Sequence, residues 1–110
     1  MELKNEKVWT DDVEGTFHRW GDERYEVTVQ QFEGFAYIVR LDVDEAHRGK
    51  GLGTMIVQTL MYMYGTVIAA PEGERSRGFF ARLGEEDERG ELKRQAIWPL
   101  DQGCGVYIME

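Results

Sequence analysis

DEAHRGKGLGT, residues 44–54, combines two patterns that nucleotide-binding proteins use: an Asp-Glu-Ala-His box, as in helicases, and a Gly-Lys-Gly turn. An ATPase needs the loop G-x-x-x-x-G-K-[ST] ahead of such a box. Here the only Gly-Lys, Gly49-Lys50, follows the box, and Gly51 stands where Ser or Thr would hold magnesium. The position of that loop's first glycine is taken by Asp44. The dinucleotide fingerprint G-x-G-x-x-G fails as well, because its last glycine falls on Thr54 or Ile56. What remains is a strand, a tight glycine turn and a helix opening with Gly51, Leu52, Gly53 and Thr54. The first amides of a helix have no partner inside it, and the helix dipole adds partial positive charge there. Glycines let a large anion approach that backbone, and Arg48 and Lys50 add charge at its rim. The turn suits a pyrophosphate; the same residues also serve as a plain helix start.

The flanks set this turn in an alternating fold. Thr16–Trp20 and Tyr25–Phe32 read as strands, the second alternating Tyr25, Val27, Val29 with Glu26, Thr28, Gln30. Glu33-Gly34 is a turn signal, and Phe35–Val43 reads as a longer, more buried strand paired antiparallel with its predecessor. A helix is expected from Leu52 to about Tyr64, with Leu52, Met55, Ile56, Leu60 and Met63 as its apolar stripe. Val57, Met61 and Tyr64 form a second apolar face, available to another subunit. Thr66–Pro71 reads as a short buried strand after a right-handed crossover. Glu74–Leu83 reads as a second helix with Phe79, Phe80 and Leu83 facing inward, and Glu85–Glu91 as a charged surface turn. Two short strands, Ala96–Leu100 and Gly105–Met109, close the order. The expectation is one α/β (α+β) domain over 1–110, a mixed, mostly antiparallel twisted sheet with helices packed on it.

Composition narrows the partners. The chain has 110 residues, 42% hydrophobic and 31% charged, which is ordinary for a folded domain. The formal charge of −8 argues against duplex nucleic acid and is compatible with a cationic substrate. Neither a membrane-spanning apolar run nor a secretory leader is visible, since MELKNEKVWTDD is charged throughout. Cys104 is the only cysteine, so the reading is cytoplasmic, with no internal disulfide. No His/Cys spacing suggests a metal.

Leu41–Met63, LDVDEAHRGKGLGTMIVQTLMYM, resembles the acetyl-CoA-binding segment of the GNAT N-acetyltransferase superfamily. Its core [QR]-x-x-G-x-[GA] is met by Arg48, Gly51 and Gly53, and Leu41 and Val43 match the preceding strand; Glu45 stands where proline is common. GERSRGFFARLGEE resembles the family's later helix through Leu83, Gly84 and the basic Arg82, and GVYIM is similar to its final strand. The resemblance covers roughly residues 24–110. It implies a GNAT-like fold binding acetyl-CoA as cosubstrate, with the pantetheine arm along Leu41–Val43. The pyrophosphate would lie on the amides of Gly49, Lys50, Gly51, Gly53 and Thr54, beside Arg48.

The implied activity is direct transfer of acetyl to a primary amine. The acceptor is a small molecule or, as the shortened chain before Thr16 would leave the site open, a protein lysine or N-terminus. Family members carry a strand and two helices there, where residues 1–15 have room for a short strand or coil. The helix Tyr that protonates the leaving thiol falls on Phe80, its companion Asn on Gly73, and the strand glutamate of the histone-acetylating branch on Tyr37. Tyr107 or Ser76 can replace the acid. Glu26, Glu33, Asp42 or Asp44 can replace the base, and Tyr107, Asp42 and Glu26 are taken as the catalytic candidates. These losses keep a second reading open, a coenzyme A-binding regulator or adaptor with little turnover. A third is an acidic interaction module with no cofactor.

Overall fold

The computed structural model describes residues 1–13, 15–71, 73–86 and 107–110. They form two compact units, Met1–Val67 and Ile68–Glu110. In the first, β1 (Lys7–Asp11), β2 (Gly15–Gly21), β3 (Tyr25–Phe32) and β4 (Phe35–Val43) form an antiparallel meander in chain order. Helix α1 (Leu52–Tyr64) follows, and β5 (Thr66–Ala69) begins the strand beside β4. Glu33-Gly34 closes the β3–β4 hairpin, where Phe32 and Phe35 stack 4.8 Å apart. Thr28 lies opposite Arg40 but Val29 lies opposite Ile38, so Val39 is an extra residue bulged out of β4.

That bulge sorts the side chains. Tyr25, Val27, Val29 and Ile38 are buried, and the register places Trp20 and His18 on their face. Tyr64 of α1 meets the His18 ring at 6.2 Å, so the helix lies on this face. Burial raises the Tyr64 phenol above its ordinary pKa, and Glu6 adds to the shift. His18 is half-buried: it stacks on Trp20, with Nδ1 3.2 Å from Glu6 and Nε2 2.8 Å from Gln31. The core of α1 is Leu52, Ile56, Val57 and Leu60. The helix is rotated from the expected stripe: Met55 and Met63 are 46% and 47% exposed, while Val57 is fully buried. The face expected to be free for a second subunit is thus turned inward at Val57 and Tyr64.

In the second unit, α2 (Glu74–Leu83) packs against β7 (Tyr107–Met109), which lies between β5 and β6 (Glu85–Glu86). Phe80 is buried with Phe79 edge-on at 5.0 Å. The charged turn expected over Glu85–Glu91 therefore begins as a strand: Glu85 and Glu86 pair antiparallel with Ile108 and Tyr107. Backbone pairing overrides the poor strand propensity of glutamate. Gly84 makes it possible, since a Cβ there would lie 2.2 Å from the Ile108 carbonyl oxygen. The strand expected at Ala96–Leu100 lies outside the described residues, as do Cys104 and the first two residues of Gly105–Met109. The architecture is the expected α+β one, a mixed sheet carrying helices. It also adds β1, inside the segment where the sequence allowed a short strand or coil.

Leu60 has no solvent exposure and anchors α1 to the sheet. Leu60→Ala should cost about 3 kcal/mol, read as a fall in melting temperature of ten degrees or more.

Candidate functional site

The β3–β4 ladder delivers the chain to the glycine turn. Past Val43, the Asp44 amide donates to the Arg24 carbonyl at 2.7 Å, extending the pairing by one residue. The Asp-Glu-Ala-His box is then a single 3-10 turn, Glu45–His47, capped by the Asp44 carboxylate, which accepts from the Ala46 amide at 3.2 Å. Arg48 leaves this turn extended, and its Nε donates back to the Val43 carbonyl at 2.9 Å. The bond ties the end of β4 to the start of the glycine segment and leaves the guanidinium exposed.

Gly49 and Gly51 both have positive φ, 77° and 81°, which reverses the chain around Lys50 into the helix. Gly51 is the helix N-cap and supplies no side-chain bond; its carbonyl accepts from Met55 at 3.0 Å. The amides of Leu52, Gly53 and Thr54 are the open ones of the first turn and point along the helix dipole. A Cβ on Gly51 would touch nothing within 4 Å, so the space beside its Cα is open. Leu41 and Val43, half-buried, fall on the face that carries α1.

Beside the turn is a cavity of about 340 Å³ lined by Met1, Glu2, Lys4, Arg24, His47, Lys50, Leu52 and Met55. Its walls carry Lys4, Arg24 and Lys50 against the lone Glu2, over an apolar floor of Met1, Leu52 and Met55. Arg24 is partly neutralised: its Nη2 and Nε donate to Asp22 at 2.9 and 3.1 Å. That side-chain bond, and then the Arg24 backbone amide, holds the Asp22 carboxyl below its usual pKa despite opposing desolvation. Lys4 reaches the cavity because its amide donates to Tyr25 Oη at 3.1 Å and its carbonyl accepts from Gly21 at 2.9 Å. Lys4, Arg24 and Met1 escaped the reading of the sequence, where nothing signals that a segment so far upstream lies beside residue 50.

The catalytic candidates are dispersed. Glu26 and Asp42 are register partners on the sheet face away from α1, and so lie together. Each is engaged: Glu26 with Arg19 at 2.8 Å, Asp42 with the Nε of Arg40. Tyr107 belongs to the second unit, buried on β7. Asp44 is spent as a cap, Glu33 and Ser76 are exposed, and Tyr37 is buried. Among the described residues, no cluster of His, Cys, Asp and Glu could hold a metal ion.

The strand–turn–helix geometry agrees with a match of residues 10–84 to the model of the acetyltransferase (GNAT) family. The chain belongs to that family. Solved structures show the same fold at low identity. A GNAT-family acetyltransferase from Staphylococcus aureus aligns over 86% of this chain and 66% of its own, with TM-score 0.66 and 11% identity. A Klebsiella pneumoniae protein provisionally named an acyl-CoA N-acyltransferase aligns over 86% and 70%, with TM-score 0.60 and 15% identity. The chain thus spans about two thirds of the length of these GNAT structures. No curated protein is significantly similar in sequence.

The Asp22–Arg24 pair gives this site a pH signature. A carboxyl whose pKa is depressed by folding stabilises above its unfolded pKa and loses that contribution as pH falls through the folded one. Asp22→Asn should therefore lower the melting temperature at pH 7. The difference should close as pH is taken through about 4 and below, as followed by thermal unfolding across pH.

Proposed function

We propose that the chain transfers an acetyl group from acetyl-CoA directly to a primary amine. The observation that carries this reading is the glycine turn at Gly49–Gly51, which opens uncapped helix amides beside a cavity with a cationic rim. The pyrophosphate would be held by the amides of Gly49 through Thr54, with Arg48 and Lys50 at the rim. The pantetheine arm would run along Leu41–Val43. Lys4 and Lys50 suit a further phosphate, and the Met1, Leu52 and Met55 surface suits a base.

In the transfer, the neutral amine attacks the thioester carbonyl, the C–S bond breaks, and the amine's proton leaves. Asp42 and Glu26 are the proposed acceptors of that proton, and Tyr107 the proposed donor to sulfur. An incoming ammonium can compete with Arg40 or Arg19 for the same carboxylates, which would bring the acceptor to its base. Thiols ionise near pH 8.5, so the sulfur can also depart without a strong acid. The resemblance implies a helical pair before β2, for which the short connection between β1 and β2 has no room. An acceptor site without that wall favours a bulky amine, such as a protein lysine or N-terminus.

The coenzyme A-binding regulator is the second reading. It draws on Phe80 in the place of the thiol-protonating Tyr and on the ion pairs that already engage Glu26 and Asp42.

Thermal unfolding with acetyl-CoA, coenzyme A and ATP tests the cosubstrate. Acetyl-CoA at about 100 times its dissociation constant should stabilise the wild type by about 2.7 kcal/mol, and ATP should not. Gly51→Glu should cost about 1–2 kcal/mol from the left-handed backbone yet fold, since its side chain has room; it should show no shift. Acetylation across an amine panel by the wild type alone supports the enzyme, whereas binding without turnover supports the regulator. No shift with any ligand would sink both.

A further inference from the structure

We propose that the protein forms a two-fold homodimer by antiparallel pairing of β1 with β1 of a second copy, centred on Trp9. Among the described residues, β1 ends the strand order, and no strand pairs with its outer side. An edge strand presents a row of unpaired backbone donors and acceptors, and proteins blunt it with proline, bulges, very short length or charged side chains. β1 has no proline or bulge, and its two charges, Lys7 and Asp11, are of opposite sign. Its five residues pair with β2 in unbroken register from Lys7–Arg19 to Asp11–Gly15. All five are exposed, and Val8 and Trp9 are 53% and 43% accessible.

The occupant is read from the strand's own pattern. Lys7-Val8-Trp9-Thr10-Asp11 is self-complementary when a copy is laid against it antiparallel. Outward-facing backbone groups alternate along an edge, so the two strands must oppose residues of equal parity to bond. Among such registers, the one centred on Trp9 uses the whole strand. It sets Lys7 opposite the partner's Asp11, Val8 opposite the partner's Thr10, and the two Trp9 rings across the axis. By symmetry the charge pair occurs twice, as an isologous interface requires. Lys7, Trp9 and Asp11 share one face, on which Trp9 already lies flat against Phe17, with centroids 5.4 Å apart and planes 5° from parallel. The axis would therefore join two aromatic stacks into one row. Shifting the register by two residues breaks both charge pairs and shortens the ladder, so Lys7 and Asp11 fix the alignment as well as favouring it.

Light scattering and sedimentation equilibrium of the full chain over a concentration series test this. The wild type should show a monomer–dimer equilibrium. Lys7→Asp and Asp11→Lys, each setting like charges opposite one another twice, should each weaken the dimer about tenfold. An equimolar mixture of the two variants should recover wild-type association, because every cross-strand charge pair is again opposite. Asp11 also accepts from the Val13 amide at 2.7 Å, so the Asp11→Lys fold is checked by its melting temperature in dilute solution. Hydrogen exchange gives a readout without substitution: the alternate amides of β1 that face away from β2 should slow as wild-type concentration rises. A wild type that stays monomeric throughout overturns the proposal. So does a dimer indifferent to Lys7→Asp, or one whose outward-facing β1 amides exchange at the same rate at all concentrations.

Discussion

The ladder between β3 and β4 is the constraint on which the rest of the structure depends. It is the longest pairing in the described molecule, running from Phe32–Phe35 at the hairpin to Tyr25–Val43 at the open end. Its inner face supplies Val27, Val29 and Ile38 to the core that receives α1. Its open end fixes where the Arg24 carbonyl meets the Asp44 amide, and so where the chain leaves the sheet. The bulge at Val39 is the adjustment that lets both ends be right. Without the extra residue, Leu41 and Val43 would turn to the face of Arg40 and Asp42, and the turn after them would start on the wrong side.

Much of this was legible in the residues. Alternation identified β3, Glu33-Gly34 gave the hairpin, and Gly49-x-Gly51 ahead of an apolar periodic segment gave the turn and helix. Those are local signals, governed by dihedral preference and period. The rotation of α1 was not legible: Met55 and Val57 are equally apolar, and only the position of the sheet decides that one is exposed and the other buried. β6 was hidden because Glu85 and Glu86 pair through their backbones, which no side-chain pattern reports. The cationic wall was hidden for a different reason. Lys4 and Lys50 are joined by the path of the chain across β2 and β3, a non-local relation that hydrogen bonds at Gly21 and Tyr25 create.

β1 sits directly against β2, joined to it by a short connection. Antiparallel neighbours need no more than a short turn to keep their ladder intact. The sheet face away from α1 carries Trp9, Arg19, Glu26, Arg40 and Asp42, and its charges are matched along and across the strands, Arg19 with Glu26 and Arg40 with Asp42. Where it is exposed, such a face tolerates water better than an apolar one would; Gln30 and Tyr37, register partners on the same face, are buried.

The bond from Arg48 to the Val43 carbonyl bears on the thermodynamics of whatever the turn receives. It closes a ring of backbone from the last residue of β4 to the first of the glycine segment, using only atoms of this chain. A loop shaped in this way surrenders little conformational freedom when an anion arrives, so more of the contact energy survives as affinity. Flexible glycines and a rigid tether then act together: the first provide access to the amides, and the second keeps those amides convergent. On the proposed function, the arginine of the motif would brace the cradle before the ligand comes, besides lending charge at its rim.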